Sequence, residues 1–438
     1  MPEAPGRPHG ITPQHPSRWR IASWTLFDFA NTAFSVIVVT VIYSRYFTNH
    51  VAGGRHWLWG LSVSLSMICA AILSPPLGAA ADFSRSRKRF LLLFTLVSVL
   101  CTGLMFFVQE GMVLTGIFLF VAANIGFEGG LVFYDAFLPG LTAPTSYGRV
   151  SGYGFAMGYA GALAVLLLVM LILPPQSDPS YFFHVRLSFV LAAVFFLVFS
   201  LPMFLFVHEP PLEGLRPRSL IRAGMDRSAS TFRSLFVRRE HPAIARFLVA
   251  FFIYNDGILT VIAFAAIFAE SVLRMSDADI IVFFAVVQTS AILGSLVFGV
   301  ITDRIGPKKT IMITLLLWIA ICVAACFVAT IPVFYAVALA AGVAIGSSQS
   351  ASRSLMALLT PQTHEAEFFG FYDGLCGKAS AVVGPLIYGV IADLTNERFA
   401  VLVIGLFFVA GLAILRGVHE PGRAHPGLSV EATPPRLP

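Results

Sequence analysis

Apolar residues in this chain gather into twelve runs, near 21–47, 57–81, 90–108, 112–138, 153–173 and 184–207, then 243–271, 278–302, 310–330, 332–359, 368–394 and 399–415. Each is of the order of the 20 residues that a helix needs to cross a bilayer. The longest polar stretch between them, 208–242, divides the runs six and six. The pattern predicts an all-α integral membrane protein with twelve transmembrane helices, a first half over 21–207, a basic linker over 208–242 and a second half over 243–417. The flanks, 1–20 and 418–438, are polar and proline-rich and are expected to be disordered cytoplasmic tails. Residues 1–20 contain no apolar core ending at a small-residue cleavage site, so the helix from Ile21 is expected to act as an uncleaved start-transfer segment.

Ionisable side chains interrupt the apolar runs at Asp28, Glu128, Asp135, Asp256, Arg353 and Lys378. A charge in hydrocarbon costs about 2.5–3.5 kcal/mol on insertion scales, so such residues face a protein interior or a wet cavity. Together they mark a polar pathway through the membrane. Composition agrees: 57% of residues are hydrophobic and 12% charged, about half the charged share of a soluble domain, which excludes a soluble enzyme. The cysteines at 69, 101, 322, 326 and 376 lie in apolar runs without histidine at metal-ligand spacing, and read as small buried side chains. No Ser–His pair, His–Glu metal motif or phosphate-binding glycine loop falls at suitable depth. Neither catalysis, nor a metal, nor a cofactor is expected.

The net charge of +6 is distributed by side. With both termini cytoplasmic, 22 Lys and Arg residues fall in the even-to-odd loops, the linker and its edge, and the tails. Only five, Arg45, Arg55, Arg186, Arg274 and Arg398, fall on the opposite side. This is the positive-inside bias that sets membrane topology. It explains the basic linker without a nucleic-acid partner; contact with anionic membrane lipid is the other reading.

The two halves also resemble each other. The loop GAAADFSRSRKR at 78–89 matches GVITDRIGPKK at 299–309, aligning Asp82 with Asp303. Asp135, Arg149 and Gly152 align with Arg353, Glu367 and Gly370 at a constant offset of 218, and Asp28 answers to Asn255 and Asp256. Repeats of this kind place a substrate site near mid-membrane between the halves. The G-x-x-x-D-R-x-G-x-K-K loop resembles the signature of the major facilitator superfamily. Within it, WTLFDFANTAF (24–34), GRVSGYGFAMGY (148–159), FFIYNDGILT (251–260), GSSQSASRS (346–354) and EAEFFGFYDGLCGK (365–378) are similar to the branch containing the fungal autophagy-related vacuolar amino-acid effluxer. The resemblance implies two pseudo-symmetric six-helix halves, alternating access, movement of amino acids or other small solutes, and a cavity lined by spans one, four, seven and ten. The first loop departs from the superfamily pattern, with Phe83 in place of Arg and Arg85 in place of Gly.

Depth follows from the helical rise of about 1.5 Å per residue. Asp256 lies ten residues past Arg246, Glu128 ten before Leu138 and Lys378 ten after Phe368. Each is therefore about 15 Å deep, near the middle of a core about 30 Å thick; Asp28 is shallower. Asn124, Glu128 and Asp135 share one helical face, as do Gly342, Gly346, Gln349 and Arg353, and Asp28, Asn31 and Ser35. Asp82, Arg85, Asp303, Arg304 and Lys308 sit at the cytoplasmic edge, where caps and ion pairs hold the halves together as a gate. Asp135 and Arg353, near that edge, are expected to pair with charged loop residues and lock the closed state. Asn255 and Gln288 can hydrogen-bond neighbouring helices instead of a ligand. The repeat partner of Lys378 is Ala160, so the shared architecture does not itself require a cation there. Asp373, five residues away, lies about 140° around an α-helix and is not expected to pair with Lys378.

These positions fit a carrier for a zwitterion. Glu128 or Asp256 can meet an ammonium and Lys378 a carboxylate, with Asn31, Asn124, Asn255 and Gln349 as further polar contacts. Asp28, placed in apolar surroundings, can take up a proton on one side and release it on the other. The expected partners are a small-molecule substrate, protons and membrane lipids, and the chain is expected to work as a monomer in a bacterial cytoplasmic membrane. Two alternatives stay open: an exporter of drugs, sugars or lipids on the same architecture, and a non-transporting membrane scaffold or receptor that uses the basic linker.

Overall fold

The computed structural model describes residues 18–209, 220–275, 277–381 and 383–420. The expected tails at 1–17 and 421–438, and linker positions 210–219, lie outside them. The first half contains α1 (Arg18–Val51), α2 (His56–Ser84), α3 (Arg87–Phe107), α4 (Val113–Asp135), α5 (Tyr147–Ile172) and α6 (Tyr181–Phe206). A linker helix, α7 (Leu220–Phe232), follows. The second half contains α8 (Pro242–Leu273), α9 (Asp277–Ile305), α10 (Pro307–Phe327), α11 (Ile331–Leu359), α12 (Glu365–Phe369), α13 (Val383–Leu394) and α14 (Glu397–Arg416).

Among the described residues, eleven helices are long and apolar enough to cross a membrane. The eleventh apolar run, 368–394, is not the single helix that its hydropathy predicts. α12 continues into π-helical turns over Gly370–Gly377, and α13 starts afresh at Val383. Gly370, Gly374 and Gly377 lower helix propensity there, and a broken backbone inside a membrane persists only where protein or water satisfies its polar groups.

The outside of the bundle is apolar. Leu114, Leu171 and Phe327 are 82%, 75% and 79% exposed, as lipid-facing side chains are. Inside the first half, α1 packs on α5 and α6, and α3 on α4; inside the second, α8 and α10 pack on α14, and α9 on α11. Between the halves the same contact occurs twice: α5 lies against α9, and its repeat counterpart α12 against α2. Backbones touch at both seams. A Cβ on Gly152 would stand 2.3 Å from the Ser295 carbonyl oxygen, and one on its repeat partner Gly370 would stand 2.8 Å from that of Ser74. Both seams lie towards the end of the bundle that carries the arginine-rich loops, the basic end.

Candidate functional site

At the basic end, each half's signature aspartate caps a helix of the other half. Asp303 accepts from the Gly148 N–H at 2.8 Å and from Arg149 Nε at 2.6 Å, at the start of α5. Asp82 accepts from the N–H groups of Ala366 (3.1 Å) and Glu367 (2.8 Å), at the start of α12. A carboxylate on a helix N-terminus satisfies donors that have no partner within the helix and complements the helix dipole.

The expected cations differ. Arg87, not Arg85, pairs with Asp82 at 2.8 Å and reaches Glu365 across the seam. Arg85 ends α2 with φ +44° and is exposed, occupying the left-handed position that Gly306, at φ +101°, holds in the second copy. The chain reverses there, so the residue two places on folds back towards Asp82. Arg304 is likewise exposed, and Arg149 supplies the guanidinium to Asp303. Lys308 donates to the Arg416 carbonyl at 2.8 Å, tying α10 to the end of α14.

Deeper in, Arg353 ties α11 to three helices of the other half. Its Nη1 lies 2.8 Å from Asp135 Oδ1 and 3.4 Å from Asp28 Oδ2, while its Nε and Nη2 donate to Ser151 Oγ (3.0 Å) and O (2.9 Å). The guanidinium carbon sits 4.0 Å from the Phe155 ring centroid and 4.9 Å from that of Trp24. Arg353 and Asp135 therefore pair with each other and not with loop residues. The surroundings of Asp28 are not apolar: besides Arg353 it accepts from the Tyr134 hydroxyl at 2.8 Å and from Asn31 Nδ2 at 3.3 Å. The reason is the repeat itself, which sets Asp135 and Arg353 on equivalent helices at one depth, facing across the interface.

A second cluster surrounds Lys378. Its Nζ pairs with Glu128 of α4, and Asp373 Oδ2 lies 3.3 Å away. The contact with Asp373 overturns the α-helical expectation. A π-helix closes its hydrogen-bonded turn from i to i+5, so its wider turn brings residues five apart closer to one face than an α-helix does. Elsewhere, Asn124 donates to Ser66 Oγ at 2.8 Å, Asn255 to Ser380 Oγ at 2.6 Å, and the Tyr159 hydroxyl to Gln349 across the halves. Asn124 Oδ1 is buried with no hydrogen-bond partner among the described residues.

Asp256 stands apart from Lys378. Both its oxygens accept the Gly384 N–H at 2.9 Å, so it caps the restarted helix α13. Asp256→Ala is expected to lower stability by about 0.5–2 kcal/mol, the usual worth of such a cap, and Asp256→Asn by less. Thermal unfolding of the purified protein in detergent checks this; an alanine variant as stable as the parent would remove the cap from the account.

The residues that sequence reasoning did not assign to the site include Arg87, Arg149, Asp373, Ser151 and Glu365. Only the five-residue spacing of Asp373 and Lys378 among glycines could have hinted at one of them. A cavity of about 410 Å³ lined by Arg45, Asn49, His50 and Gln176 lies between the ends of α1, α5 and α6 remote from the basic end, and contains none of the expected site residues.

Comparison with known proteins extends this picture. Residues 59–423 match the family described as vacuole effluxer Atg22 like. The MFS-type transporter YxiO of Bacillus subtilis is 30% identical over 410 residues, covering 91% of this chain and 94% of that protein. Autophagy-related protein 22 of Yarrowia lipolytica is 25% identical over 439 residues, covering 80% and 74%. Among solved structures, the human organic anion transporter MFSD10 superposes with a TM-score of 0.74 at 15% identity, over 92% of this chain and all of the other, which shows a shared fold. The helix order, the doubled seams and these relatives lead to one assignment: the chain is a multi-pass membrane transporter of the major facilitator superfamily and belongs to its Atg22-like family.

Proposed function

We propose that the protein is a proton-coupled secondary transporter that moves an amino acid or a similar zwitterion across a bacterial cytoplasmic membrane by alternating access, with both termini and the basic end cytoplasmic. The observation that carries this reading is the Glu128–Lys378–Asp373 cluster, which joins the halves about halfway through the bundle. Well-packed apolar residues would serve stability there as well or better. A zwitterion can exchange with the pair, giving its ammonium to Glu128 and Asp373 and its carboxylate to Lys378. Asn124, Asn255 and Gln349 offer polar groups at similar depth. Asp256, engaged at α13, supports the break in the eleventh crossing that lets Lys378 reach Glu128.

The cross-half ion pairs of Arg87, Arg149, Arg353 and Lys378 run from the basic end to mid-depth. They support reading this conformation as closed to the cytoplasm. Opening must part Arg353 from Asp28 and Asp135. Two carboxylates then remain without their guanidinium, and Asp28 carries the coupled proton. That is a means of coupling.

Uptake and counterflow in proteoliposomes, with labelled amino acids, sugars and organic ions and with or without a pH gradient, test the proposal. Amino acids are expected to exchange, and a proton gradient to drive their accumulation. Asp28→Asn should abolish the pH dependence while sparing exchange; loss of both, or of neither, refutes the coupling role. If no solute moves and only changes in the linker alter activity, the protein is a scaffold or receptor.

A further inference from the structure

The two cytoplasmic seams are built on the same plan but do not have the same charges. At the α5–α9 seam, the first turn of α5 offers Asp303 two backbone N–H groups and the Arg149 guanidinium. At the α12–α2 seam, the first turn of α12 offers Asp82 the equivalent N–H groups, but the repeat partner of Arg149 is Glu367. A carboxylate therefore stands where the symmetric design has a cation, against a partner of its own sign. Arg87 neutralises Asp82. Glu367, with no side-chain exposure, receives Arg227 Nε of the linker helix α7 at 3.0 Å, and its other oxygen has no hydrogen-bond partner among the described residues.

α7 rides on the first half while holding the second. Gly224 lies so close to α2 that a Cβ would stand 2.3 Å from the Pro76 carbonyl oxygen, and Ser228, one turn on, is buried. On the far side of the seam, Phe232 meets Phe371 at 6.4 Å between ring centroids.

We propose that α7 is a latch on the α2–α12 seam, with Arg227 and Glu367 acting as positioning residues that favour the cytoplasm-closed state. The inference rests on the alternating-access reading above. When α12 leaves α2, α7 stays on α2 and Glu367 enters water, where a carboxylate needs no protein partner. Arg227 thus stabilises the closed state and contributes little to the open one, and only such a difference can shift a conformational equilibrium. The α5–α9 seam, with Arg149 on α5 itself, needs no latch.

The test uses the full chain in lipid nanodiscs, with its native cysteines replaced by serine and spin labels at positions 89 and 362, one on each half at the cytoplasmic end. Distances come from double electron–electron resonance. Arg227→Ala is expected to shift the closed-to-open ratio about tenfold towards open, equivalent to about 1.4 kcal/mol. In a Glu367→Gln background, the same substitution should change the ratio less than twofold, because no buried charge is left unpaired. Should Arg227→Ala fold poorly in the parent, Arg227→Gln, which also removes the charge, takes its place in both backgrounds. An equal shift in both backgrounds, or none in the parent, overturns the latch. A single short distance in every variant at every pH would instead sink alternating access, and the latch with it.

Discussion

Arg353→Ala is expected to destabilise the protein by about 3–5 kcal/mol and to abolish transport. Removing one partner of a buried ion pair strands the other in a medium that solvates it poorly, and here two carboxylates are stranded together. Arg353 is 2% exposed and every nitrogen of its guanidinium is engaged, by Asp135, Asp28 or Ser151. Its face also stacks on Phe155 and Trp24, which adds a cation–π contribution. Arg353→Lys should recover only part of the loss, because an ammonium cannot reproduce the planar fork and the stack together. Denaturant unfolding in mixed micelles measures the stability, and proteoliposome counterflow the activity. Adding Asp28→Asn and Asp135→Asn to the alanine variant should restore much of the stability without restoring transport. A single alanine variant within about 1 kcal/mol of the parent would contradict the buried-charge account.

The second large effect is expected at Lys378. Lys378→Met should weaken substrate binding by about 2–5 kcal/mol, roughly 30-fold to a few thousandfold, as truncation of a buried charge pair does. Part of that loss comes from the unpaired Glu128 and Asp373, and a double variant separates the two contributions. Lys378→Met with Glu128→Gln leaves fewer buried charges unmatched, so its stability should approach that of the parent while its transport stays lost. If the double variant carries amino acids at the parent rate, the cluster is only a structural tie between the halves and the proposed substrate site must lie elsewhere.

The parts legible in the sequence were those set by local hydropathy and by the repeat. The apolar spans, save the broken eleventh, and the alignment of Asp135 with Arg353 appear in one dimension, because burial in lipid constrains every residue of a run in the same direction. Pairing was less legible. The aligned aspartates at 82 and 303 pointed to contacts between the halves, yet the cations came from Arg87 and Arg149, since a left-handed turn at Arg85 decides which side chain faces inward. Asp373 was hidden for a similar reason: its contact with Lys378 exists only if the helix winds as a π-helix, and glycine-rich sequence permits that winding without announcing it. Asp256 looked like a ligand because its depth was right, but depth does not say that a new helix begins opposite it.

What the chain alone determined is its solvent and its symmetry: a multi-pass membrane protein of two related halves, with a few charges too deep to be accidental. Which charge meets which was decided by the tertiary structure, since the partners of Arg353, Lys378 and Glu367 lie 140 or more positions away along the chain in the pairs with Asp28, Asp135, Glu128 and Arg227. Hydropathy follows from each residue and its near neighbours. A buried ion pair depends on two distant backbones arriving at one depth and facing each other, and only helix packing sets that.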